Sequence, residues 1–254
     1  MNLKFGVIYA QKGQWTDDEF FSNQETSESF ENFLNLLGEK ITLKNWDRYR
    51  GGLDVHNNMT GSESVYTLFE DHQIMFHVST LLPYTQEDTQ QVRLPGRSNL
   101  CKMEEKADSE KKNCIPIRIS DSCKIYFFSS CKDLKTREQV GNEQTSPVLS
   151  LVYRQTFQVE RKRHIGNDIV NIVFMEDSEP EDAVKFQPKF IKSHFTHIYA
   201  VVTHNCCHSQ DTYSLTVFSD ETVPVFGPLL SKSNTDQEFR RLLLTKCING
   251  EKAT

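Results

Sequence analysis

Residues 161–170 read RKRHIGNDIV: three cations and a histidine, then Gly166, Asn167 and Asp168, then the start of an apolar run. Cationic side chains complement the negative end of a helix dipole, and a glycine or asparagine just beyond them is a common helix stop. The β-branched residues that follow predict a strand over 169–174. One tight turn therefore joins a helix to a strand, the joint from which α/β folds are built. Taken alone, the asparagine in this turn says no more than that a helix ends here.

Working outward, the remaining patterns alternate in the same way. Thr16 and Glu19 have capping-box spacing and predict a short helix after them. Phe30, Phe33, Leu34 and Leu37 recur at helical spacing, with Thr26 or Ser27 available as cap and Gly38 as a left-handed stop. Two β-rich runs at 64–69 and 74–79, separated by the polar residues 70–73, read as a hairpin. Strands are also expected at 198–203 and 213–218, with a short helix around 189–194. Thr235 and Glu238 repeat the capping-box spacing before Phe239, Leu242, Leu243 and Lys246. Helices interleaved with strands imply an α/β sheet covered by helices.

The 254 residues suffice for a substantial core, and the hydrophobic (37%) and charged (25%) fractions are those of an ordinary globular domain. A net charge of −6 offers no field for a phosphate backbone, so nucleic acid is not expected as a partner. No apolar run approaches the ~20 residues of a membrane span, and the N-terminus lacks the features of a signal peptide, so a cytoplasmic protein is expected. Seven cysteines without framework spacing are expected to remain thiols. The HNCCH stretch at 204–208 crowds its ligands too closely to enclose one zinc ion, and no metal site is expected.

No GxGxxG or GxxxxGK[ST] loop occurs, so the chain is not expected to bind a nucleotide by itself. GSES at 61–64 does not fit the serine-hydrolase elbow, and His77, inside an apolar β-rich run, reads as a buried structural histidine. Residues 93–158 stand apart. They alternate charges at KMEEKADSEKK, hold four of the seven cysteines and sustain neither helical nor strand periodicity, so an extended or disordered insert is expected, with KIYFF as an isolated strand. The domain reading is accordingly a first part over 1–92, the insert over 93–158, and a second part over 159–254.

Eight stretches occur in one order: FGVIYAQKGQ, FSNQE, FLNLLGEKI, RYRGGLDV, TGSESVYTLF, IMFHVSTLLPYT, RKRHIGNDIV and VPVFGP. In that order and context they resemble the Rap/Ran-GAP domain, over residues 5–92 and 159–227. The resemblance implies an α/β fold with a central, mainly mixed β-sheet flanked by helices. It implies a GTPase activator acting in trans on a Rap-type small GTPase, not an enzyme with its own substrate. GTP and Mg²⁺ would be bound by the partner, and no cofactor by this chain.

In that family an asparagine on a projecting helix, the asparagine thumb, takes the place of an arginine finger, and Asn167 matches its position. Phosphoryl transfer needs an oriented attacking water, which a glutamine of the GTPase usually holds. Rap-type GTPases lack that glutamine, and a carboxamide supplied in trans both accepts and donates hydrogen bonds as it would. By the same resemblance, Lys162 and Arg163 dock the GTPase, and His164 holds the asparagine-bearing element. The family domain is a possible homodimer, an arrangement not expected here because the chain matches the family only from partway into its domain.

The insert interrupts what is one continuous helix in the family. The start signal at Thr85 and Asp88 is separated from the Asn167 turn, and the helix must begin again, with Thr156 as cap and Phe157 and Val159 packing. If the insert loops out, Asn167 keeps its place; if it unseats the helix, the chain becomes a docking module that binds a GTPase without turning it over.

Overall fold

The computed structural model describes residues 1–84, 117–120, 123–128, 159–207, 210–231, 233 and 235–254. Nine described strands form one sheet in the order β2-β3-β4-β1-β7-β8-β9-β6-β5. They are β1 (Asn2–Ala10), β2 (Glu39–Thr42), β3 (Glu63–Phe69), β4 (His72–Val78), β5 (Ile117–Ser120), β6 (Cys123–Phe128), β7 (Val170–Met175), β8 (Ile198–Cys207) and β9 (Gln210–Asp220). The α-helices are α1 (Asp17–Ser22), α2 (Glu28–Leu37), α3 (Val159–Ile165), α4 (Pro180–Ala183) and α5 (Asp236–Ala253). The sheet is mixed, as the resemblance implied: β4, β1, β7 and β8 run parallel, while β3 pairs antiparallel with β4 and β8 with β9.

The locally encoded elements form where their residues predict them. Thr16 and Glu19 make the reciprocal capping box of α1, and the Ser27 hydroxyl accepts from the Phe30 N–H to start α2. Thr235 caps α5 through the Glu238 N–H. The hairpin is β3 and β4, in register at Val65↔Phe76. Gly38 does end α2, but in extended backbone (φ −175°) instead of the left-handed stop, because the chain passes directly into β2. The helix expected near 189–194 is replaced by α4 and a 3-10 turn at Pro188–Phe190. The KIYFF run lies in β6, which pairs parallel with β9. Thr85, Asp88, Thr156 and Phe157 lie outside the described residues.

The interior strand β1, paired in parallel with β4 on one side and β7 on the other, is one that sequence patterning did not predict. Its two faces feed two cores. Leu3, Phe5, Val7 and Tyr9 join Phe30, Phe33, Leu34 and Leu37 of α2 and Leu243, Leu244 and Cys247 of α5. Ile8 and Ala10 join Phe20 and Phe21 of α1, Ile165 of α3 and Phe186 after α4 on the opposite side. Helices thus cover both faces.

Candidate functional site

Helix α3 is short, and its end is closed by hydrogen bonds. The last four carbonyls of an α-helix lack intrahelical partners and need donors from elsewhere. Here the Gly166 N–H reaches Lys162 O (2.8 Å), the Asn167 N–H reaches His164 O (3.1 Å) and the Asp168 N–H reaches Ile165 O (3.2 Å). The Arg163 carbonyl accepts from Asn167 Nδ2 (2.5 Å), and Ile165 O accepts a second bond from Asn171 Nδ2 (3.2 Å). Asn167 is exposed. With its NH₂ held against the helix end, its Oδ1 faces outward and, among the described residues, has no hydrogen-bond partner.

Asp168, fully buried, fixes the turn from below. Its carboxylate accepts from Lys4 Nζ (2.9 Å) on β1 and pairs with His77 Nδ1 (2.7 Å) on β4. The other ring nitrogen of His77 lies 3.0 Å from Gly51 O. A carbonyl only accepts, so Nε2 must donate there. Gly51 adopts φ +62°, and a Cβ at that position would sit 3.2 Å from His77 Nε2, so glycine permits this approach. Lys4 also donates to Asn167 O (2.9 Å). His77 is thus a buried structural histidine, as its sequence context indicated.

From the other side, Ser193 Oγ donates to Gly166 O (2.7 Å), and Thr196 Oγ1 donates to Asp168 O (2.9 Å). The carbonyls on either side of Asn167 are therefore held by hydroxyls of one loop. Lys4, Tyr49, His77, Arg163, His164 and Asn167 contribute to an open cleft of about 370 Å³ beside the turn. Burial, with His77 adding to it, pushes the His164 imidazole below its ordinary value, and Nε2 of that ring lies 3.6 Å from Glu160.

The cations of α3 part company in space. Arg161 faces inward, is 2% exposed, and donates to Phe21 O (2.7 Å), Asn23 O (2.6 Å) and Leu82 O (3.2 Å). It therefore does not share in a charged outer surface. Lys162 Nζ is bound to Asp18 (2.7 Å) and lies 3.4 Å from Asp17, which ties α3 to α1. Arg163 extends outward, with 69% of its side chain exposed. His204, in the HNCCH stretch, is buried, stacks on Phe174 and packs at a tilt against Tyr213.

The mixed sheet with helices on both faces has a counterpart among solved structures, and the sequence has relatives among known proteins. The family pattern described as Rap/ran-GAP matches residues 20–94 and 144–254, and the chain belongs to that family. GTPase-activating Rap/Ran-GAP domain-like protein 3 from Gallus gallus is 43% identical over all of this chain and 20% of its own length. The Homo sapiens protein of that name is 44% identical over all of this chain and 18% of its own length. Signal-induced proliferation-associated 1-like protein 3 from Homo sapiens is 34% identical, over 98% of this chain and 10% of its own. The structure of the TSC2 GAP domain superposes with a TM-score of 0.60 at 21% identity, covering 99% of this chain and 98% of that one, and so shares the fold. The chain spans 20% or less of the length of these curated relatives. No described helix is long and apolar enough to cross a membrane.

Proposed function

We propose that this chain activates GTP hydrolysis by a Rap-type small GTPase in the cytoplasm, acting in trans and without a cofactor of its own. The observation that carries the reading is the state of Asn167: exposed, backbone fixed on both sides, NH₂ tied to Arg163 O, and Oδ1 without a hydrogen-bond partner among the described residues. An attacking water needs such an acceptor in a fixed place, and positioning of this kind supplies much of the catalysis in phosphoryl transfer. GTP and its Mg²⁺ belong to the partner.

In this reading Arg163 docks the GTPase. Lys162 contributes to docking by exchanging its internal partners, Asp17 and Asp18, for an acid on the partner surface. His164 fills the space between Glu160 and the His77 ring and keeps the helix seated. Titrating the chain into a GTP-loaded Rap-type GTPase, with phosphate release followed in a single turnover, tests the proposal. Saturable acceleration supports it; binding with no acceleration replaces the activator by a docking module.

A further inference from the structure

Ser193, in the loop between Pro188–Phe190 and β8, is half-buried, and its hydroxyl is surrounded by hydrogen-bonding groups. The backbone N–H groups of Phe195 (3.1 Å) and Thr196 (3.0 Å) point to it, while Gly166 O (2.7 Å) and Thr196 Oγ1 (2.9 Å) lie beside it. A hydroxyl has two lone pairs and one proton. The two N–H groups occupy both lone pairs, so only the proton is left. It lies toward Gly166 O, because the shortest of these contacts would otherwise set two bare oxygens against each other. Thr196 then finds no lone pair on Ser193, and its own proton goes to Asp168 O (2.9 Å) while its oxygen accepts from Asn171 Nδ2 (2.8 Å). The hydrogens between this loop and the Asn167 turn thus have one consistent arrangement.

The peptide that the Ser193 proton holds is the one that aims Asn167. Gly166 cannot carry a side chain, since a Cβ there would stand 2.4 Å from Lys162 O. Glycine permits that approach, and it leaves the backbone its widest rotational freedom immediately before Asn167. The peptide joining the two residues is pinned at its N–H end by His164 O (3.1 Å) and at its C=O end by Ser193. Lys4 holds the next peptide, at Asn167 O (2.9 Å), and not this one. With the Ser193 pin gone the Gly166–Asn167 peptide can turn about its other end, and turning it swings the Asn167 side chain.

We infer that Ser193 is a positioning residue for the reaction: its hydroxyl proton, aimed by the two N–H groups behind it, fixes the Gly166–Asn167 peptide and so the place from which the Asn167 carboxamide meets the water. The inference rests on the activator reading and adds to it a residue whose hydroxyl is wholly engaged inside this chain. A group of this kind acts on the saturating rate and leaves docking alone.

Single-turnover hydrolysis by a GTP-loaded Rap-type GTPase, measured against concentration of the whole chain, tests this with Ser193→Ala, Ser193→Asp, Ser193→Thr and Asn167→Ala. Ser193→Asp isolates the proton: an aspartate accepts from the two N–H groups as serine does in such turns, so the loop keeps its fold, but it has nothing to donate to Gly166 O. Ser193→Ala and Ser193→Asp are expected to lower the saturating rate about tenfold or more, as a displaced catalytic group does, with the half-saturating concentration within about twofold. Ser193→Thr, which keeps the hydroxyl, is expected to retain the rate. Amide exchange at Asn167 is expected to quicken in the Ala and Asp variants and not in Ser193→Thr, at melting temperatures that show all of them folded. If Ser193→Asp keeps the full saturating rate while Asn167→Ala loses the acceleration, the activator reading stands and the positioning role is overturned. A raised half-saturation at an unchanged saturating rate also overturns it, by assigning Ser193 to docking, as does a Ser193→Thr chain as slow as Ser193→Ala. If the unmodified chain accelerates no GTPase, the activator reading falls and takes the positioning role with it.

Discussion

Arg161 and Arg163, two residues apart on α3, are the same side chain in opposite roles. Arg161 threads between α1 and the loop after β4, bonded to three carbonyls and with its guanidinium over the Tyr84 ring (5.2 Å). Burial pushes its pKa down to about 10, still high enough to keep the charge at neutral pH. Arg161→Ala leaves three carbonyls without their donor and is expected to cost about 3 kcal/mol or more in urea denaturation. Arg161→Lys is expected not to restore it, because a point ammonium cannot span the three acceptors that a planar fork reaches. Equal stability of Arg161→Ala and the unmodified chain would show that these bonds carry nothing. The difference was partly legible: Arg161 lies four residues before the fully buried Ile165, and residues at that spacing share a helix face. Read as composition, the three cations look alike.

At the scale of elements, α3 has seven described residues, too few to hold a helix by propensity. Besides the bonds of Arg161 and Lys162 to α1 and its neighbours, β7 and β1 hold it. Asn171, at the start of β7, caps Ile165 O, and it fits only because β1 passes it with a glycine. A Cβ on Gly6 would stand 1.9 Å from Asn171 Oδ1 and 2.9 Å from Ile165 Cγ2. Gly6→Ala is therefore expected to expel the Asn171 side chain, destabilise the fold by roughly 2 kcal/mol or more, and speed amide exchange at 166–168. Unchanged exchange there would mean that the cap is dispensable. None of this was readable from the sequence, because the side chains that hold the turn from other elements lie 27 to 164 residues away. The helix starts at Thr16, Ser27 and Thr235 were readable because each cap and its partner are three residues apart. β1 was missed for a different reason: both its faces are buried, so Phe5, Val7, Ile8 and Ala10 show no polar alternation.

Across the whole molecule, the last helix returns to the first strand beneath the site. Glu251 of α5 has an enclosed Oε2 without a hydrogen-bond partner among the described residues. Burial, with Asp168 adding to it and Lys4 opposing it, pushes its carboxyl up from 4.5 to about 7. The folded chain therefore holds this proton where the unfolded chain releases it. The stability it contributes is full below about pH 4.5 and is lost as pH rises through about 7. Thermal melts at pH 5 and pH 8 should show the unmodified chain losing stability relative to Glu251→Gln between the two. His164, whose pKa is depressed, contributes the opposite slope to both proteins and cancels in the comparison. Parallel losses would show that Glu251 does not titrate in this range. The mixed α/β architecture was legible from ordered motifs spread along the chain, whereas the approach of Glu251 to Asp168 depends on tertiary packing that no local pattern encodes.

In the proposed function Asn167 supplies the acceptor that orients water in a neighbouring protein. The most direct test of that role is GTP hydrolysis by a Rap-type GTPase in a single turnover, with the unmodified chain and with Asn167→Ala, each at saturating concentration. The account predicts that the variant still binds the GTPase but loses acceleration by on the order of a hundredfold or more, the scale of removing a positioned catalytic group. An Asn167→Ala chain that accelerates hydrolysis as well as the unmodified one would contradict it.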